Sequence, residues 1–331
     1  MAKQIPYVFL LNIVMWLRGI FRRRTRPAVV EARTALDEQL LRRLERLTLA
    51  ASRGLRSGLS GAHPSRRRLP APTFTDHRPY SAGDDLRYVD WNAYARLDDL
   101  HLKLGEAEQD VRVTLLVDCS TSMDWGTGDS NKLHYARLLA AAIGYIGLAS
   151  GDRLQVIAFG GGTQTTSVPW GPGSGRQRAA GLLRYLDGLQ VTGTMTTGER
   201  LRELARTERG GLLVVLSDLW HNSSLFEGQA AALNYFQLPR WQVLLLHILH
   251  PEELRPPSMG DVELIDSETG ARLALQTGRD GVDEYIAAVE RWCGQLHDAC
   301  GRRGGAYARV TTGMQIERAV LPYLEAREVL R

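Results

Sequence analysis

The pattern of hydrophobic and polar positions changes character near residue 110 of this chain. Beyond it, runs of consecutive apolar residues predict buried strands at 111–117, 154–159, 212–216, 241–249 and 307–310. Segments with an apolar residue at every third or fourth position predict amphipathic helices at 133–149, 176–186, 199–207, 226–236, 284–300 and 315–327. Apolar strands alternating with such helices predict a doubly wound, Rossmann-like α/β fold with a mostly parallel sheet covered on both faces.

Two segments depart from this alternation. The short runs at 262–266 and 272–275 predict a β-hairpin, inserted between about residues 251 and 276. Nearer the N-terminus, leucines recur at helical spacing between residues 30 and 49 and predict a helix packed on the main body. We therefore divide the chain into an apolar segment with an arginine cluster at 1–27, an N-terminal extension at 28–106, and the sheet domain at 107–331.

Composition is that of a folded intracellular protein. A chain of 331 residues that is 44% hydrophobic can bury a substantial core. Its three cysteines, Cys119, Cys293 and Cys300, form no C-x-x-C pair and cannot all pair with one another. This pattern excludes a zinc ribbon and a secreted disulfide scaffold, and we expect the cytoplasm.

Positive charge is concentrated in one segment. Residues 18–68 carry fourteen arginines against four acidic residues, although the net charge of the whole chain is only +4. Arg66-Arg67-Arg68 could contact phosphate, but no interleaved aromatic residues or nucleic-acid-reading motif accompany it. We interpret it as a solvated charge run and do not expect nucleic-acid binding.

The N-terminal segment predicts a contact with membranes. Residues 5–17 are nearly all apolar, and five arginines follow by residue 26. The stretch is short for a spanning helix and lacks the cleavage site of a signal peptide. We expect residues 5–26 to hold the protein peripherally at the anionic inner face of the membrane. The alternatives are a helix packed on the protein's own surface and a translation start placed too early.

Polar residues follow two of the predicted strands directly. Asp118, Ser120 and Ser122 come after the first strand, and Asp218 comes after the strand 212–216. Gly193-Thr194 lies in a predicted loop between them. Because ligands of open α/β sheets bind at the carboxyl ends of strands, these oxygens could meet at one point.

Such a set of oxygen ligands suits a hard divalent cation. Mg²⁺ prefers oxygen ligands and keeps several waters, so two carboxylates and three hydroxyls make an incomplete cage. We expect Mg²⁺, with Mn²⁺ and Ca²⁺ as alternatives, and an open position for a partner's carboxylate. The competing interpretation is a loop whose Asp and Ser side chains only satisfy backbone groups or cap the next helix.

This set resembles the metal-ion-dependent adhesion site of von Willebrand factor A domains. That site combines D-x-S-x-S with a later Thr and a later Asp, which Asp118, Ser120, Ser122 and Asp218 match. Thr194 is the best match for the middle ligand, with Thr196 and Thr197 as competitors.

A second resemblance is more specific. The run from Phe74 to Trp91, with Ala95-Arg96, is similar to the signature of a bacterial family catalogued as domain of unknown function 58, and the likeness extends from about residue 61 to the C-terminus. Residues 69–72, Leu-Pro-Ala-Pro, depart from the glycines usual in the family. The resemblance implies genes beside MoxR-type AAA+ ATPases and a role in assembling or maturing other proteins. Taken from its residues alone, the run predicts a structural ion-pair network with Tyr80, Tyr88 and Trp91 packed inward.

Three functions follow from these features. The first is a metal-dependent protein-binding module that receives an acidic side chain from a client or from a MoxR-type ATPase. The second is a metal-dependent hydrolase acting on a phosphate ester. The sequence argues against an enzyme, because it lacks a P-loop, a G-x-S-x-G elbow and H-E-x-x-H, and only His221 is a candidate base. The third is a membrane-surface scaffold.

The membrane contact predicts a difference between two forms of the chain. Because each basic group near anionic lipid contributes about 1 kcal/mol, we expect the full chain to float with vesicles containing phosphatidylglycerol. A chain that starts at Pro27 should remain unbound. Phosphatidylcholine vesicles are the control, and equal flotation of the two forms would refute the anchor.

Overall fold

The computed structural model describes a large part of the chain. The described residues are 38–44, 46, 69–70, 76–81, 85–105, 111–160, 168–193, 197–208, 210–219, 233–256, 261–265, 272–276, 279–317 and 321–326. The predicted anchor at 1–27, the basic triplet at 66–68, most of the predicted helix 226–236, and residues Thr194, Thr196 and His221 lie outside them. The described residues form two compact units, one within Arg56–Asp110 and the other from the rest.

The described residues of both units form helices and strands. Within the described residues the helices are α1 (Glu38–Leu44), α2 (Trp91–Leu97), α3 (Lys132–Ala149), α4 (Ala179–Asp187), α5 (Thr197–Thr207), α6 (Pro251–Leu254), α7 (Arg279–Gly301) and α8 (Leu321–Ala326). The strands are β1 (Leu69–Pro70), β2 (Asp76–Pro79), β3 (His101–Gly105), β4 (Arg112–Asp118), β5 (Arg153–Phe159), β6 (Trp170–Gly173), β7 (Gly211–Ser217), β8 (Trp241–Leu249), β9 (Asp261–Ile265), β10 (Arg272–Gln276) and β11 (Ala306–Thr311).

The main sheet has six strands in the order β11-β8-β7-β4-β5-β6. All neighbouring strands are parallel except β6, which runs antiparallel to β5 at the edge. All seven residues of β7 are buried, as expected for a central strand with both faces covered. The predicted α/β fold with a mostly parallel sheet is therefore confirmed.

The two faces of the sheet have separate hydrophobic cores. On one face of the sheet, α3 and α4 pack against strand residues such as Leu115 and Val117. On the other face, α5 and α7 pack against strand residues such as Leu116 and Val215. Successive residues of one strand point to opposite faces, so a continuous apolar run supplies both cores.

Strand order reverses beside β4. The chain passes from β4 through α3 to β5 on one side, and it later returns to place β7 on the other side. In sheets of this class, such a reversal leaves a crevice at the carboxyl ends of the two strands. Asp118 ends β4 and Ser217 ends β7, so both lie at the carboxyl edge of the sheet where the strand order reverses.

The predicted hairpin is also confirmed. β9 pairs antiparallel with β10 in a two-stranded sheet of its own, between α6 and α7 in the chain. The sequence pattern does not predict β6, because glycine and proline make up three of its four residues. Proline is tolerated in strands at sheet edges, where β6 lies.

The smaller unit contains the three-stranded antiparallel sheet β1-β3-β2 and helix α2. Asp90 caps α2 by accepting hydrogen bonds from the backbone N–H groups of Asn92 and Ala93. Asp85 pairs with Arg87, which is one contact of the predicted ion-pair network. The inward packing predicted for Trp91 is wrong, because its side chain is 59% exposed while Ala93 faces the interior of the unit.

None of the helices within the described ranges combines the length and the apolar character needed to cross a membrane.

The cysteines yield a test of the packing. Cys119, Cys293 and Cys300 are free and buried, and burial raises the pKa of Cys119 and of Cys300 to about 12. Because only the thiolate reacts with Ellman's reagent, we expect no reaction in the native protein at about pH 8. All three thiols should react after unfolding in guanidinium chloride. Rapid titration of even one equivalent in the native state would contradict this packing.

Candidate metal site

The site begins where β4 and β7 end side by side. Val117 and Leu216 are paired in register, so the next residues, Asp118 and Ser217, are neighbours across the two strands. The Asp118 carboxylate is fully buried. Its Oδ2 accepts a hydrogen bond from Ser217 Oγ at 2.5 Å, and its Oδ1 accepts one from the Ser120 backbone N–H at 2.8 Å. Asp118 therefore holds its own loop and the end of β7 together.

The loop after Asp118 turns its serine hydroxyls toward each other. Ser120 Oγ and Ser122 Oγ lie 3.0 Å apart, and both side chains are buried. A turn of 3₁₀ helix at Thr121–Met123 produces this arrangement. The close packing of the loop against Gly160 fixes it further, since a Cβ at Gly160 would lie 2.6 Å from the Ser120 backbone nitrogen.

A second loop is tied to the first by backbone hydrogen bonds. The Thr192 N–H donates to the Cys119 carbonyl at 2.7 Å, and the Thr121 N–H donates to the Gly193 carbonyl at 3.1 Å. Thr194 and Thr196 follow this point outside the described residues. Thr197, the remaining candidate for the middle ligand, is fully buried.

Thr197 reaches the site through Ser217. Its Oγ1 lies 3.1 Å from Ser217 Oγ, which itself donates to Asp118. Because the single hydroxyl proton of Ser217 points to Asp118, Thr197 must be the donor in their contact. Sequence reasoning missed Ser217, although it stands between the predicted strand 212–216 and Asp218. Its role depends on a partner 99 positions earlier.

Asp218 is bound to a buried cation supplied by the chain itself. Lys132 Nζ donates to Asp218 Oδ2 at 2.7 Å and to Glu253 Oε1 at 2.6 Å. Only 1% of the Lys132 side chain is exposed. Burial disfavours the ammonium, but the two carboxylates outweigh it and raise the pKa of Lys132. Sequence reasoning missed Lys132 and Glu253, because no local motif links residues that are 121 positions apart.

A histidine fixes the Asp218 backbone from the core side. His247 Nε2 lies 2.9 Å from the Asp218 carbonyl oxygen, and His247 Nδ1 lies 2.8 Å from the Tyr307 hydroxyl. Full burial lowers the pKa of His247 to about 3, so the ring is neutral at ordinary pH. Since a carbonyl only accepts, the proton is on Nε2, and Tyr307 donates to Nδ1.

The backbone after Asp218 is in a strained conformation. Leu219 has a φ of 53°, in the left-handed region that non-glycine residues rarely adopt. Its N–H donates to Ser217 Oγ at 2.9 Å, which helps to hold this conformation. Strain of this kind is often found at functional sites.

The donor set fits a hard divalent cation. Asp118, Ser120, Ser122, Thr197 and Asp218 offer carboxylate and hydroxyl oxygens, which are the ligand types that Mg²⁺ prefers. The ammonium of Lys132 on Asp218 indicates that positive charge is stabilised at this position. Among the described side chains, no cluster of three or more His, Cys, Asp or Glu is arranged for a metal ion. A cation here would therefore depend on two carboxylates completed by hydroxyls and water.

The Ser217 hydroxyl predicts a measurable contribution to stability. In Ser217→Ala, Asp118 loses a buried hydrogen bond and Thr197 loses its acceptor, so the free energy of unfolding should fall by about 1–3 kcal/mol. Ser150→Ala is the matched control, because Ser150 is exposed and should change stability by less than about 0.5 kcal/mol. Urea denaturation followed by circular dichroism measures both. Equal stability of the two variants would show that the Ser217 hydroxyl is unimportant.

Several solved structures are similar to this chain. Conserved hypothetical protein BatB from Bacteroides thetaiotaomicron is 17% identical, with 65% of this chain and 98% of that chain covered and a TM-score of 0.38. A von Willebrand factor type A protein from Catenulispora acidiphila is 19% identical, with 47% of this chain and 37% of that chain covered and a TM-score of 0.28. None of these likenesses is close enough to bear on function.

Sequence relatives are closer. Uncharacterized proteins from Mycobacterium bovis and Mycobacterium tuberculosis are 30% identical over 253 residues, which cover 74% of this chain and 77% of theirs. A family model described as protein of unknown function DUF58 matches residues 76–291. That match spans residues 76–110 of the smaller unit, the loops of the candidate metal site and most of the sheet. The chain therefore belongs to the DUF58 family.

Proposed function

We propose that this protein is a metal-dependent protein-binding module. In this proposal, a divalent cation held by Asp118, Ser120, Ser122, Asp218 and a threonine of the 194–197 segment receives a carboxylate from a partner protein. The supporting observation is the junction of Asp118, Ser217 and Thr197, which joins oxygens from the ends of β4 and β7 and the start of α5 at the strand-order reversal. Thr194, Thr196 and Thr197 all remain candidates for the threonine ligand.

The chemistry of the ligands supports a role in binding. A cation with two carboxylates and several neutral oxygens keeps exchangeable water positions, and a partner's carboxylate can replace one water. The charge of the cation would then supply much of the attraction. Directional coordination would give specificity for an acidic side chain.

The proposed partner is a MoxR-type AAA+ ATPase, or a client protein assembled with its help. This choice comes from the family resemblance, in which such genes are neighbours. Mg²⁺ is the proposed cation, with Mn²⁺ and Ca²⁺ as alternatives. A location in the cytoplasm, with residues 5–26 at the inner face of the membrane, remains part of the proposal.

A hydrolytic function has less support. A metal-dependent hydrolase acting on a phosphate ester needs a group that can accept a proton from water. Among the described histidines near the site, His247 is bonded to Asp218 and Tyr307, and His250 caps α6 by accepting from the Glu252 N–H. We therefore propose no catalytic role for these residues. Turnover of a phosphate ester that Asp218→Ala abolishes would reverse this choice.

Removal of one carboxylate tests the cation and the partner together. Asp118→Ala should weaken Mg²⁺ or Mn²⁺ binding by more than about tenfold, since even residues around metal ligands contribute that much. Asp298→Ala is the matched control, because that side chain is 65% exposed on α7. Isothermal titration calorimetry measures the cation affinity directly.

The partner is tested by co-purification with a candidate MoxR-type ATPase. We expect complex formation in Mg²⁺, loss of the complex in chelator, and loss with Asp118→Ala but not with Asp298→Ala. Equal recovery in all four samples would rule out a metal-dependent interface with that ATPase. Circular dichroism of each variant separates a lost ligand from a lost fold.

A further inference from the structure

Lys132 places a fixed positive charge inside the proposed cation site. It is the first residue of α3, which begins where the loop with Ser120 and Ser122 ends. Its backbone N–H donates to the Trp125 carbonyl at 2.9 Å, so its position is set by that same loop. The side chain then extends inward to Asp218 Oδ2. An ammonium therefore binds an oxygen that the proposed cation would use.

Among the described side chains, the ion pairs of Lys132 together with Asp118 carry more negative than positive formal charge. Asp118, Asp218 and Glu253 are three carboxylates, whereas Lys132 is one ammonium, so these four side chains carry a formal charge of −2. Negative charge held in a medium of low polarity is costly, and a positive ion beside it lowers that cost. A divalent cation would bring the formal charge of the group to zero.

Glu253 gives the ammonium a second partner. Glu253 Oε2 accepts from the His250 backbone N–H at 2.6 Å, and the Tyr285 hydroxyl donates to the Glu253 carbonyl at 2.6 Å. These bonds hold Glu253 in place independently of Asp218. If Asp218 becomes a ligand of a cation, Lys132 still has a carboxylate within hydrogen-bonding distance.

We propose that Lys132 and the divalent cation are alternative partners of Asp218, and that Glu253 retains the ammonium when the cation binds. This inference rests on the proposed metal site and defines how that site is regulated. Lys132 holds Asp218 in place in the metal-free protein, and its charge lowers the affinity for the cation. The site therefore fills only when the cation concentration is high enough to displace the ammonium from Asp218.

The test is the affinity of Lys132→Met for Mn²⁺ and Mg²⁺, measured by isothermal titration calorimetry. Removing a positive charge a few ångströms from the cation should tighten binding at least about tenfold. The metal-free variant should melt at a lower temperature than the wild type, because buried Asp218 and partly buried Glu253 lose the ammonium between them. Its melting temperature should also rise more on addition of Mn²⁺.

Two further variants keep the test decisive. The double variant Lys132→Met/Glu253→Gln has one carboxylate fewer at this point than Lys132→Met, so it should fold even if Lys132→Met does not. The double variant should bind Mn²⁺ more tightly than Glu253→Gln alone. Lys103→Met, in the smaller unit, controls for the substitution itself and should leave the affinity unchanged. Cation affinity that is equal or weaker without Lys132 in both backgrounds overturns the inference.

The outcomes separate this inference from the proposed function. If the wild type binds a cation but removal of Lys132 does not tighten binding, the inference fails and the proposed function stands. If only the variants without Lys132 bind a cation, the inference stands and metal-dependent binding by the wild type is refuted. If no form binds a cation, both are overturned.

Discussion

The hydrogen bond between Ser217 and Asp118 is the contact on which the site depends. It joins the ends of β4 and β7 at 2.5 Å, where parallel pairing has already brought the strands together. Asp118 is buried, and a buried carboxylate needs such donors to offset the loss of water. Thr197 and the Leu219 N–H converge on the same serine oxygen. One hydroxyl thus connects a strand end, a helix start and a strained turn.

The positive charge of Lys132 explains how Asp218 is accommodated in the core. Asp218 is buried beside Asp118's partner, and Lys132 supplies the positive charge that makes this burial tolerable. A buried ion pair seldom adds net stability, because the desolvation of both ions offsets their attraction. The pair is therefore better explained as a contact that keeps the Asp218 carboxylate in place than as a source of net stability.

The sequence predicts the scaffold well, because each element has a local pattern. The strand at Trp241–Leu249 and the helix α3 can be located from runs and periodicity alone, and the strand-end position of Asp118 follows from them. By contrast, β6 lacks such a pattern, and the orientation of Trp91 depends on how the short helix α2 packs. Periodicity over seven residues is too short to define a buried face.

The candidate site could be predicted only in part for a similar reason. The candidate ligands Asp118, Ser120, Ser122 and Asp218 could be recognised because they directly follow predicted strands. In parallel sheets, the carboxyl ends of strands are where ligands bind. Ser217, Lys132 and Glu253 act through contacts between residues far apart in sequence. Contacts of that kind become visible only when the helices and strands are placed in the folded structure.

The hydrogen bonds of His247 have a consequence for how firmly a ligand would be held. Tyr307 of β11, His247 of β8 and the carbonyl of Asp218 after β7 form a line that crosses three adjacent strands. The torsional freedom of the Asp218 backbone is thus removed when the sheet folds. A ligand that binds this carboxylate meets a preorganised group, and little of its binding free energy is spent on ordering the protein.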